Sequence, residues 1–505
     1  MDFSLAPLAP DRFTPAAARH LLWRLGYGGD WAQVQALTEV GLDAAVKQLL
    51  EGPGPSSTAA LPEPELELDP DVKKPLNAEQ RKRLNQARRS EDQEVLRENQ
   101  LRNQAARRED NKMFYRLKTW WLERMLLTPH PAEERLTLLW HGHFASSQRQ
   151  VNDTYLMYRQ HQLFRKESRG SFADLARGIV HDPAMLLYLN NNRNHKRNPN
   201  ENLAREIMEL FTLGEGNYSE DDIKAGARAL TGYHTDDNDF IFRKGGHDHG
   251  PKTILGKTDA FDGDSLVEHL LRQDACATLV ALKLYDYFVA DVGDVYPAVP
   301  RENQRVIRAL ARHLQRAEYQ LTPVLTTLFK SRHFYDPAIM GRKIKDPLQL
   351  LVGTARALHT PPPPTRSPTA MQGSMAAMGM ELFAPPTVDG WDGGRAWINT
   401  STLFVRQNLA TYLISGRHPE KKFNRKNIGY DPTQLREAYV LPEDPSPIAA
   451  TDRVIDTLVG PHLTAERRAP IHRFVADRGP DKGLSKDGLV ALFCLITAMP
   501  EYQLC

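Results

Sequence analysis

"PNENLAREIMELFTLG", residues 199–214, decides the kind of protein this is. Asn198 suits the N-cap, Pro199 the first helical position and Glu201 the third, which is the pattern of a capping box. Leu203, Ile207, Leu210 and Phe211 recur at i, i+4, i+7 and i+8 as one apolar helix face, and Gly214 ends it. Asn202, Glu206 and Glu209 form a polar stripe along the border of that face. A half-buried carboxylate at Glu206 needs a cation, a donor or its own proton. It therefore reads either as the partner of an arginine on a neighbouring helix, or as a metal ligand or general base. Glu209 lies further toward solvent.

The same periodicity runs outward in both directions. Helices are expected at roughly 131–141, 152–167, 171–178, 220–231, 264–273, 276–290, 301–316 and 321–330, and again at 346–358, 400–413, 451–459, 464–477 and 484–497. From Asn77 to about Leu127 the pattern is one long helix, polar on nearly every face until Lys112 and apolar and aromatic after it. Residues 77–112 thus read as a protruding charged arm laced with i,i+4 ion pairs; its interleaved glutamates argue against a grip on an anionic polymer. "DFIFRKGGHDHGPKTILG", residues 239–256, alternates about a Gly-rich turn and reads as a β-hairpin. Residues 53–75 read as a linker, 360–380 as a flexible connection, and 381–505 as a C-terminal helical part. The expectation is a mainly α protein: one large multi-helical body with a small hairpin, its motifs gathered in 131–256, and no Rossmann-type sheet.

Composition fits a soluble globular chain: 505 residues, 41% hydrophobic, 25% charged, with a formal charge of +2 and so no nucleic-acid footprint. Cys276, Cys494 and Cys505 are too far apart for a metal or redox pattern. The start, "MDFSLAPLAPDRFTP", shows no signal peptide, and no apolar run suits a membrane-spanning helix, so the default expectation is a cytoplasmic protein.

Chemistry concentrates in three places. In "LLWHGHFASS", residues 138–147, Gly142 reads as a positive-φ helix stop, which would free His141 and His143 to converge. Capping and packing compete with metal binding or acid–base work for that pair. "GGHDHGPK", residues 245–252, adds His247, Asp248, His249 and Lys252. With Glu206 these supply a donor mix suited to zinc, iron or manganese. "GWDGGRAWIN", residues 390–399, reads either as a tight turn pinned by buried tryptophans or as a platform for a sugar or other flat ligand. No nucleophile elbow, Walker loop or dinucleotide fingerprint is present.

The segments "WHGHF", "NENLAREIMELFTLGEGNYSEDDIKAGARALTGY", "HDHGPKTILG" and "LFAPPTVDGWDGGRAWIN" resemble the bacterial domain-of-unknown-function family 1800, from "HLLWRLGYGG" near the start to "AMPEYQLC" at the close. The pattern matches at His141, His143, Asn200, Glu201, Asn202, Arg205, Glu206, Glu209, His247, Asp248, Gly250 and Lys252. Gly142 stands where asparagine is frequent, His249 lies outside the pattern, and the 77–112 arm resembles an insertion. The resemblance implies a mostly helical protein of unassigned activity, often encoded beside a sulfatase-like family with twin-arginine export signals.

Two functions follow as expectations. In the first, a divalent metal on His141, His143 and Glu206 activates water in a hydrolase, its substrate (a carbohydrate or sulfated polymer) being an analogy with the sulfatase-like neighbour. His247 would be a fourth ligand or acid–base group, Asp248 an orienter, Lys252 or Arg205 a stabiliser of negative charge, and Glu209 the next carboxylate of the stripe. In the second, the protein is a non-catalytic scaffold or partner of the sulfatase-like protein, with export alongside it left open, and the polar motifs are buried networks.

Overall fold

The long polar segment after residue 77 folds back on itself instead of running on. Helix Ala78–Ser90 ends at Glu91, whose φ is 56°, and a second helix, Gln93–Leu127, returns alongside it. The break has a local cause: Asp92 accepts from the amides of Glu94 and Val95, so it caps a new helix where one continuous helix was expected. The arm is thus a two-helix hairpin, mostly exposed, closed on itself by Leu84 and Ala87. From Met113 onward Leu117, Trp120, Trp121 and Met125 enter the core, as the change of pattern after Lys112 predicts.

The computed structural model describes residues 2–52, 66, 68–293, 295–359, 367–415, 432–479 and 484–505. It is mainly α, and one continuous hydrophobic core joins Leu8 to Tyr502. Helix Pro15–Leu25, capped by Thr14 with Pro15 behind it, packs on Trp31–Glu51. Pro131–His143 and Gln93–Leu127 both pack on Thr154–Lys166; Asp274–Phe288 packs on Arg301–Arg316, and Thr400–Ser415 on Lys486–Thr497. The two ends of the chain are interlocked: Arg19 donates to the carbonyls of Thr457 (2.8 Å) and Leu458 (3.0 Å), and Trp23 to that of Thr457 (3.3 Å). Buried Lys345 donates to the Tyr502 carbonyl between the rings of Trp23 and Tyr502. Among the described residues no helix is long and apolar enough to cross a membrane.

Three local expectations are corrected. The helix from 199 starts only at Asn202, because His195 and Asn198 bridge as extended backbone and Asn200 supplies the cap, accepting from the Asn202 amide at 3.0 Å. After Glu206 it widens into a π-helix, Ile207–Leu213, and Thr212 donates its hydroxyl to the Ile207 carbonyl. Residues 239–256 hold no single hairpin. Instead β1 (Tyr233–Asp236) pairs antiparallel with β2 (Asp239–Phe242), and β3 (Lys252–Ile254) with β4 (Lys257–Asp259). The first turn is made at Asp237 and Asn238, both at positive φ, and the Gly-rich stretch is the joint between the two hairpins. In the 360–380 connection, 360–366 lie outside the described residues, but Pro368–Ala377 is a helix that buries Met371 and Met375.

Candidate functional site

Helix Pro131–His143 runs straight through Gly142, which is not at positive φ; the cap is Phe144. Two residues apart on a continuous helix, His141 and His143 point about 200° away from each other. His141 turns inward: its Nε2 lies 3.1 Å from Nδ1 of His161, among Trp121, Phe164 and Phe383. His143 turns the other way. Its Nε2 lies 3.0 Å from the Phe211 carbonyl in the π-helix, and it lines a cleft of about 420 Å³. Gly142 is instead a surface on which the loop rests: Gly390 lies against its carbonyl, and Trp391 beside it.

The cleft brings together the end of the "HGH" helix and the "DGWDGGRAW" loop. Its other walls come from helix Asp274–Phe288 (Lys283, Asp286, Tyr287) and from residues 343–346. Trp397 is buried in the core, whereas Trp391 is only half-buried and lines the cleft. Arg135 is neutralised by Asp346 at 2.7 Å and lies over the Tyr287 ring; Lys343 pairs with Asp291. Asp286 accepts from the amides of Val292 (2.8 Å) and Gly293 (3.1 Å), and burial raises its pKa.

Among the described residues, three cleft-lining side chains carry a buried polar atom with no partner: His143 Nδ1, Trp391 Nε1 and Arg135 Nε. Such atoms are rare in a protein interior and mark places where a ligand or water belongs. The carbonyl of Phe211 can only accept, so His143 carries its proton on Nε2 and leaves the lone pair of its buried Nδ1 without a donor. Burial, with Lys283 adding to it, pushes its pKa down to about 3, so the ring is neutral.

Glu206 is half-buried, and desolvation first, then repulsion from Glu209 and Asp389, pushes its pKa up to about 7. No arginine ion pair holds it among the described residues; Arg205 instead grips Glu220 through two nitrogens at 2.9 Å each. Asp389 lines the cleft and lies within electrostatic reach of Glu206, which links the stripe to the cleft. Glu209 accepts from the Tyr218 hydroxyl.

The residues of the joint serve mainly to lock it. Asp248 is held by Arg228 (2.7 Å), which keeps its carboxyl low, at about 2. Lys252 donates to the carbonyls of Asp248 and Gly250, and His247 Nδ1 to that of Thr231 at 2.8 Å. His249 is exposed. His141, His143, Glu206 and His247 are not gathered into one ligand set: among the described residues no three His, Cys, Asp or Glu groups are placed to hold a metal ion.

Sequence reasoning missed Lys283, Asp286, Asp389 and His161, and met Arg395 only as a neighbour of the Gly pair in the tryptophan turn. A signal for the first existed: Lys283 is the only basic residue in the apolar run "ACATLVALKLYDYF", residues 275–288. His161, in an ordinary amphipathic helix, gave none.

No curated protein and no solved structure matches the chain. The family described as "Protein of unknown function (DUF1800)" matches residues 20–504, nearly the whole chain, and the protein is a member of that family.

Proposed function

We propose that the protein is a hydrolase acting on carbohydrate, with its substrate in the cleft beneath Trp391 and with Glu206 and Asp389 handling the protons. The supporting observation is a cleft lined by a half-buried tryptophan, by a neutral histidine whose buried Nδ1 has no partner, and by Asp389, whose charge helps to raise the carboxyl of nearby Glu206 to about 7. A sugar ring stacks on an indole face, and its hydroxyls need acceptors such as His143 Nδ1 and donors such as Trp391 Nε1. Glycoside hydrolysis uses two carboxyl groups whose environments separate their roles. Glu206 gives its proton to the leaving oxygen as the glycosidic C–O bond breaks. Asp389 takes a proton from the water that forms the new C–O bond.

Zinc, iron or manganese, the cofactors that the histidines invite, would reach this cleft through His143 alone of the three expected imidazoles; the proton transfers above do not pass through such an ion. The test is release of reducing ends from a panel of neutral and acidic polysaccharides. Cleavage is expected from the wild type and its loss from Glu206→Gln and Trp391→Ala, with helical circular dichroism retained. A panel left wholly uncleaved, or cleavage that survives Glu206→Gln, overturns the reading.

A further inference from the structure

Four basic side chains face the cleft, and only two are neutralised. Arg135 is paired with Asp346 and Lys343 with Asp291. Lys283 and Arg395 have neither an ion-pair nor a hydrogen-bond partner among the described residues, although carboxylates are near in sequence. Asp286, one turn on from Lys283, is occupied by the amides of Val292 and Gly293. Asp392, three residues before Arg395, makes no ion pair with it, and Asp389 lies in reach of Glu206. Lys283 is also half-buried, the one basic residue of its helix, and a charge without a partner there is costly.

We propose that the substrate carries a fixed anionic oxygen group, a carboxylate or a sulfate monoester, seated between Lys283 and Arg395. The two cations come from different elements that line the same cleft, one on helix Asp274–Phe288 and one on the loop that also carries Trp391, so one anion can draw on both. The guanidinium fork suits a planar or tetrahedral oxyanion, and the ammonium adds a point charge. His143, being neutral, does not compete for it.

This inference rests on the carbohydrate reading of the cleft, and the test separates the two. Four probes are titrated calorimetrically into the full chain bearing Glu206→Gln, so that none is consumed. They are trigalacturonate, its fully methyl-esterified twin, N-acetylglucosamine 6-sulfate and N-acetylglucosamine. The acidic member of one pair is expected to bind at least about tenfold tighter than its neutral twin. Lys283→Met or Arg395→Met should erase that preference at an unchanged melting temperature. A preference in the first pair alone identifies a carboxylate; in the second alone, a sulfate ester. Equal binding of twins overturns the anionic substrate and leaves the sugar cleft standing. No binding of any probe overturns both.

Discussion

Gly390 lies so close on the end of the "HGH" helix that a Cβ on it would sit 2.3 Å from the Gly142 carbonyl oxygen. That contact sets the width of the cleft, and it is asymmetric. Gly390 also has φ 93°, whereas a Cβ on Gly142 would meet only Trp391, at an ordinary 3.8 Å. Gly390→Ala should therefore cost about 3 kcal/mol or more and disturb the cleft. Gly142→Ala, in a helix, should be neutral or gain up to about 1 kcal/mol. Chemical denaturation of the two variants checks this; equal effects would show that the loop does not rest on the helix.

Glu206 makes stability depend on pH. Its carboxyl is raised from 4.5 to about 7, so the folded chain binds that proton more tightly than the unfolded one. The resulting stability is complete below about 4.5 and is lost as pH rises through about 7, by about 1 kcal/mol after solvent screening of a half-exposed group. Glu206→Gln should flatten that part of the stability–pH curve. Cleavage by the wild type should fall over the same rise, as Glu206 gives up its proton.

The two histidines of "HGH" should behave differently. His141→Leu strands His161 Nδ1 in the core, since His161 Nε2 already lacks a partner, and should cost about 2–4 kcal/mol. His143→Ala should weaken sugar binding about tenfold or more, one lost hydrogen bond to a buried group. A mutant pair in which His141 controls binding and His143 only stability would reverse the assignment of faces.

Removal of the arm has a limit at Asp110. Its carboxylate accepts from the Thr154 amide (2.8 Å) and from Gln148 (3.0 Å), and it is buried. Replacing residues 79–105 by a short turn should shift the melting temperature by only a few degrees, about 1 kcal/mol. Asp110→Ala alone should cost more, about 2–3 kcal/mol, by leaving an amide unpaired.

Elemental analysis settles the route to water activation. With the donors distributed as they are, protein purified without added metal should hold well below one equivalent of zinc, iron or manganese, and a chelator should leave cleavage unchanged. One tightly held equivalent that disappears with His143→Ala would instead make His143 a ligand.

The helical body was legible because burial imposes a 3.6-residue period that any chain must display. What was not legible depended on one residue's backbone. Gly142 reads as a stop by type, yet the helix runs on through it, and the glycine that the packing requires is Gly390, about 250 residues away, which nothing local reveals. That single misreading is what made His141 and His143 converge on paper. The break at Glu91 failed similarly: Asp92 signals a cap, but a polar helix with no core face carries no phase from which to see the interruption. The π-helix is invisible because its widened turns leave the apolar residues in a pattern an α-helix also accepts. Glu206 and the "DGWDGGRAW" loop were each visible, but that Asp389 comes within electrostatic reach of Glu206 was not, since that is a matter of packing.

The interlock of Arg19 and Trp23 with Thr457 has a consequence for how the protein is made. At ribosomal speeds of about 5–20 residues per second, roughly 20–90 seconds pass between synthesis of the first helix and of its partner. During that time Pro15–Leu25 is covered first by Trp31–Glu51 and then in part by Pro131–His143, but Arg19 lacks its acceptors and Trp23 its carbonyl partner. Assembly of the core is thus a late event in synthesis, and nascent chains of intermediate length should be the ones that chaperones hold.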